Sequence, residues 1–162
     1  MSSAKSKKGA KQAADPLTPV YKIEDSPFYQ VARLNGRYMF GMEKALKAVG
    51  MDIPRWRVLM ILNDKSPSSI SEISDRSFTR LSTMTRVAQR MAKDGYLELR
   101  TADEDARITK AFITKKGEDA VKVIREVASR VFNVAFTDFS DQEITQLNKF
   151  LTRAFHNLSI LR

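Results

Sequence analysis

The chain has 162 residues, with 28 Lys and Arg against 19 Asp and Glu (formal charge +9), no cysteine and one histidine. Disulfides and thiol redox sensing are therefore excluded, and His156 alone cannot complete a Cys/His zinc or copper site within one chain. The length suits one domain-sized core, no apolar run nears the roughly 20 residues of a membrane span, and the basic balance favours a polyanionic partner such as nucleic acid.

Residues 1–25 read as a disordered basic arm. Lys5, Lys7, Lys8 and Lys11, few apolar groups, Pro16 and Pro19 do not offset the entropy of ordering. The segment is a solvated tail or an arm that tracks phosphates. It lacks the apolar core of a secretory signal, so the cytoplasm is the expected compartment.

Ser26-Pro27 starts a long helix, Ser as N-cap and Pro at the first helical position. Phe28, Val31, Leu34, Tyr38, Met42, Ala45 and Val49 form its apolar stripe, and Gly50 ends it. Pro54 opens a second helix that closes near Asn63-Asp64. Its apolar residues, Trp56 and Val58 to Leu62, go most of the way round, which predicts a central, buried element. Lys65 to Ser69 is a turn.

A short helix then follows, capped by Ser71 with Ile73 inward. Phe78-Thr-Arg-Leu81 makes a turn, and a second helix runs from about Ser82 to Lys93, stopping at Asp94-Gly95. Met84, Val87, Ala88 and Met91 fall on its core face. Ser82, Thr83, Thr85, Arg86, Gln89 and Arg90 fall away from it, with Arg80 just before. Hydroxyl, carboxamide and guanidinium groups are those that bond base edges and phosphates. An ordinary solvated face mixes both charges, whereas no acid occurs from Ser82 to Lys93. From Arg76 to Arg100 six basic residues face two acidic ones, a local +4.

Tyr96, Leu97 and Leu99 begin a strand, and Ile108, Ala111 and Ile113 lie on its return. The loop between them holds Asp103, Glu104, Asp105 and Arg107. Carboxylates repel phosphates, so these need a task. Asp105 bracing Arg107 would present an ordered guanidinium to the strong negative potential of a narrow minor groove. Helix, turn, helix, strand, loop, strand is the order of a winged helix-turn-helix. The fold class is mainly α with a small β-hairpin wing: a DNA-binding lobe at residues 51–117 and a helical dimerisation layer at 26–50 and 118–162.

After Gly117, Ala120, Val121, Ile124, Val127, Val131 and Val134 define an amphipathic helix. Ser140 to Glu143 is a capping box for the last one. There Ile144, Leu147, Leu151, Ala154, Leu158 and Leu161 step as a heptad seam, widened by Phe150 and Phe155. That apolar surface exceeds the needs of one small core, and a second copy of the chain is its simplest cover. His156 fits a dimer interface or core edge better than a ligand contact.

The run Ser82-Thr-Met-Thr-Arg86, then Met91 to Tyr96, Asp105-Ala-Arg107 and Phe112 to Gly117, resembles the MarR family of bacterial transcription regulators. The resemblance spans roughly residues 26–162 and is strongest over 53–117. It departs at Ala106, where an Arg is common, and in the longer N-terminal arm. It implies a homodimer built from the first, fifth and sixth helices, and a small-molecule effector lodged among helices one, two and five. Tyr29, Arg33, Tyr38, Arg55 and Trp56 are the expected ligand residues, with Arg33 or Arg55 pairing the anion of an aromatic carboxylate or its thioester. The expected function is a homodimeric repressor released from a pseudo-palindromic operator on double-stranded DNA. The competing reading is an architectural DNA-binder without an effector. An enzyme is not expected, since no nucleophile–base pair or glycine-rich phosphate loop stands in the chain, and no cofactor is expected.

Overall fold

The computed structural model describes residues 3–103 and 105–161, with side chains from residue 9 onward. Met1, Ser2, Glu104 and Arg162 lie outside the described residues; of these, Glu104 is one of the expected wing carboxylates, and Met1 and Ser2 belong to the expected arm. The helices are α1 (Ser3–Ala14), α2 (Pro27–Lys47), α3 (Ile53–Asp64), α4 (Ile70–Arg76), α5 (Leu81–Lys93), α6 (Lys115–Ala135) and α7 (Asp141–Leu158). Strands β1 (Ser68–Ser69), β2 (Leu97–Thr101) and β3 (Thr109–Ile113) form one antiparallel sheet in the order β1-β3-β2. The chain divides into two units, one ending at Ala128 and one beginning at Ser129.

In the first unit α3 packs against α2, α4, α5 and β3, the central place its all-round apolar pattern predicts. Val58, Leu59 and Leu62 are its buried residues, joined in the core by Met42 and Leu46 of α2 and Ile73 of α4. On α5, Met84, Ala88 and Met91 are buried at steps of four and three. Each of the two buried methionines contributes roughly 1.5–3 kcal/mol. That stripe fixes which face of α5 turns inward and so which face is left for a partner.

The ends of the elements follow local chemistry. Asp52 caps α3, its Oδ1 accepting from the Arg55 N–H at 2.8 Å. Gly95 takes φ +80° directly after α5, a conformation that lets the chain reverse into β2. In the turn between α4 and α5, Phe78 takes φ 50°, which costs a bulky residue on the order of 1–2 kcal/mol. In the second unit Ser140 and Glu143 form the expected reciprocal cap on α7.

Four local expectations need correction. The backbone of residues 3–14 is helical where disorder is expected, because alanine, lysine and glutamine are strong helix formers. The N–H of Lys22 then folds back onto the carbonyl of Ala13 at 2.9 Å. The cap of α4 is Ser69 rather than Ser71: Ser69 and Glu72 exchange side-chain and backbone bonds in a capping box. The segment taken for a turn contains β1, which pairs Ser68 with Ala111 and Ser69 with Lys110. Finally, α6 begins before Gly117. Thr114 Oγ1 accepts from the Gly117 N–H at 3.1 Å and donates to the Gly95 carbonyl at 2.8 Å.

Candidate nucleic-acid interface

The face of α5 opposite its buried stripe carries Ser82, Thr83, Arg86, Gln89 and Arg90, all exposed, with Arg80 exposed at the N-cap. Thr85 is half-buried, and its hydroxyl donates to the Leu81 carbonyl at 2.9 Å, which leaves it only as an acceptor. Arg80 and Arg86 make no ion pair among the described residues. Arg76 pairs with Asp64, and Arg90 Nη2 lies 3.8 Å from Asp52 Oδ2. Arg80 and Arg86 therefore stand without an ion pair at the N-cap and in the N-terminal half of α5, where the unsatisfied N–H groups of the first turn add a positive field.

The wing is the β2–β3 hairpin, in register from Leu97 opposite Ile113 to Thr101 opposite Thr109. At its tip Asp105 Oδ1 accepts from the Arg107 N–H at 2.9 Å and from Arg107 Nε at 3.2 Å. Oδ2 accepts from Nη2 at 3.2 Å. These bonds, the side-chain one first, hold the Asp105 carboxyl below its ordinary range. The Arg107 side chain nonetheless stays 91% exposed. A guanidinium held on one edge and open on the other is set to meet an anion. Along the hairpin, Arg100 bonds Glu98 and lies over the Phe112 ring at 4.6 Å.

The residues expected to bind an effector do not converge as expected. Tyr29 and Arg33 form their own cation–π pair at 5.4 Å. Nine residues of helix, about 13 Å, separate Tyr29 from Tyr38. Tyr38 instead meets Trp56 edge-on at 5.9 Å, and the neighbouring cation is Arg57, whose Nη2 reaches Met39 Sδ at 3.3 Å. Burial raises the Tyr38 hydroxyl pKa, against the opposing pull of Arg57. Arg55 is not an available anion partner. Its guanidinium bonds Asp94 at 2.5 Å and Asp52 at 3.3 Å. The Asp94 bond lies 39 residues away in sequence, a distance no motif spans.

In the second unit no residue of α7 is buried. Ile144 and Leu147 are half-buried, whereas Leu151, Phe155 and Leu158 are exposed. His156 is exposed beside Phe155, with ring centroids 5.6 Å apart. Among the described residues no helix is long and apolar enough to cross a membrane, and no group of three or more His, Asp or Glu could hold a metal.

A recognition helix free of acids on its outer face, beside a hairpin tipped by a braced arginine, defines a winged-helix DNA-binding protein. Residues 49–108 match the model of the MarR family. The chain is 40% identical over 167 residues to the HTH-type transcriptional repressor IacR of Pseudomonas putida, covering 99% of this chain and 100% of that one. A MarR-family regulator from Silicibacter pomeroyi superposes with a TM-score of 0.74 at 22% identity, over 87% of this chain and 93% of its own. A MarR mutant from E. coli, in complex with operator DNA, does so at 0.69 and 14%, over 77% and 90%. The chain belongs to the MarR family of DNA-binding transcription regulators, which are not enzymes.

Proposed function

We propose that the protein is a cytoplasmic, homodimeric repressor that grips a pseudo-palindromic operator and is released by a small aromatic acid or its thioester. The observation that carries the DNA reading is the exposed α5 face from Ser82 to Arg90, without a carboxylate, beside the preset Arg107. Arg86 is suited to fork onto guanine and Gln89 onto adenine. Ser82, Thr83, Arg80 and Arg90 are suited to phosphates, and Arg107 to the minor groove. The similar Pseudomonas protein is a repressor, and the similar E. coli protein binds operator DNA.

A second copy is the proposed cover for the apolar residues of α7, where Leu151, Phe155 and Leu158 stand exposed. Two-fold symmetry then places half-sites about one helical turn apart. For the effector, the Tyr38–Trp56 pair with Arg57 replaces the expected Arg33 and Arg55 as the seat of an aromatic anion. The rings supply stacking and the guanidinium pairs the carboxylate. Ligand that prefers a dimer with the wrong helix spacing weakens DNA binding by the same factor that DNA weakens ligand binding. A 100-fold release needs about 2.7 kcal/mol of coupling, within the ordinary range.

The test is selection of a duplex from a randomised pool, footprinting, and release by phenolic and other aromatic acids and their thioesters. The expected result is a two-fold-related footprint, bound at least ~10³ times tighter than random duplex and vacated when ligand is added. Equal affinity for all sequences would instead mark an architectural protein. An occupied footprint indifferent to every aromatic acid and thioester would remove the effector from the reading.

A further inference from the structure

The C-terminal end of α5 is tied down from two sides. Asp94, the C-cap, receives the Arg55 guanidinium of α3 on its carboxylate at 2.5 Å. Its carbonyl receives Lys116 Nζ, from the start of α6, at 2.7 Å. The Tyr96 ring has Arg55 at 5.9 Å and Lys116 at 4.6 Å from its centroid, so two cations lie within cation–π range of one ring. Arg55 also reaches Asp52 Oδ2, the oxygen that lies 3.8 Å from Arg90 on the outer face of α5. One arginine thus joins the N-cap of α3, the C-cap of α5 and, through Asp52, a side chain of the recognition face.

Stability is a poor explanation for this knot. Arg55 Nε is buried without a hydrogen-bond partner, which is costly. For a partly buried ion pair the desolvation of both charges offsets much of their attraction, and an apolar side chain of similar volume is often as good. What directional bonds do supply is geometry. A 13-residue helix is roughly 20 Å long, so a tilt of ~10° about its last turn carries the first turn about 3 Å. Hydrogen bonds to base edges do not tolerate that displacement.

We propose that Arg55 is a positioning residue for DNA recognition: through Asp94 and Asp52 it locks the end of α5 against α3 and so sets where Ser82 to Arg90 meet the base edges. The inference rests on the DNA-binding reading above. Arg55 is partly buried and already held by two carboxylates, which separates it from Arg80 and Arg86, exposed and without an ion pair among the described residues.

The experiment uses the full chain and two duplexes, one selected by the wild-type protein from a randomised pool and one of scrambled sequence. Affinities for both are measured across a salt series for wild type, Arg55→Met, Asp94→Asn, Arg80→Ala, and the reversed pair Arg55→Asp with Asp94→Arg. For Arg55→Met and Asp94→Asn the expected result is a loss of roughly ten-fold or more on the selected duplex only, with an unchanged slope of log affinity against log salt. The reversed pair recovers part of that loss, which a merely weakened fold would not. Arg80→Ala lowers affinity on both duplexes and reduces the slope by about 0.9, the signature of a lost phosphate contact. The same slope change in Arg55→Met would overturn the proposal, as would an unaltered preference for the selected duplex. Should Arg55→Met fail to fold, the near-isosteric Asp94→Asn decides by the same criteria. A wild-type chain indifferent to both duplexes at low salt would sink the DNA-binding reading itself, and the clamp with it.

Discussion

Arg86 and Arg107 have the same guanidinium and are proposed to have different tasks, because different surroundings hold them. Arg86 sits on a rigid helix face with no ion-pair partner among the described residues, poised for a base edge. Arg107 is held by Asp105 at a hairpin tip, a setting suited to groove potential rather than to a base edge. Arg86→Ala should therefore cost ~1–3 kcal/mol of specific binding and relax preference at one base position. Arg107→Ala should weaken binding with little change in major-groove preference; competition gel shifts on single-base operator variants compare the two. Gly117 is decided by space. A Cβ there would lie 2.5 Å from the Tyr96 carbonyl and 2.7 Å from Ile113 Cγ1. A backbone oxygen cannot swing aside as a side chain does, so Gly117→Ala should destabilise the fold by about 1–3 kcal/mol, measured by chemical denaturation.

Among the elements, α4 shows how a seven-residue helix survives. Too short to be stable alone, it is started by Ser69 and Glu72 and anchored by buried Ile70 and Ile73. The bond from Lys65 first, and the Ser69 N–H next, lower the Glu72 pKa from 4.5 to about 2. A carboxyl depressed in the folded state contributes stability that is present above the unfolded value and lost as pH falls through the folded one. The contribution of Glu72 should thus be complete above about 4.5 and vanish toward about 2. Thermal melting across that window should show a smaller acid-induced loss in Glu72→Gln than in wild type. Ser69→Ala should cost ~1 kcal/mol near neutral pH, because it strips the N-cap of α4.

For the whole molecule, the decisive fact is that α7 buries no residue within its own chain. An exposed apolar seam of this length marks an interaction surface, and the proposed cover is a second copy. Leu151→Glu with Leu158→Glu should then convert dimer to monomer in sedimentation experiments while leaving helicity nearly unchanged, since neither side chain is part of the chain's own core. Such a monomer should lose most of its operator affinity, because each half-site is then bound without the gain in effective concentration from its twin. Unfolding on substitution would show instead that the seam packs within one chain.

Periodicity determined a good deal without a structure. The 3.6-residue repeats placed α2, α5, α6 and α7, the all-round apolar run after Pro54 placed α3, the apolar residues on either side of the acidic loop placed the hairpin, and the absence of acids on α5 marked the face proposed to meet DNA. These are local signals, each written within a few residues of where it acts. Tertiary structure alone decided the rest. Ser68 and Ser69 become a strand only because β3, some forty residues on, offers them a hydrogen-bonding edge. Arg55 looked like a ligand's counter-ion until the fold brought Asp94 to it, and Tyr38 chose Trp56 and Arg57 over Tyr29 because helix geometry holds Tyr29 a long way off. A side chain's chemistry is legible in its letter; its partner is fixed by how distant segments pack, and that depends on the free energy of the entire core.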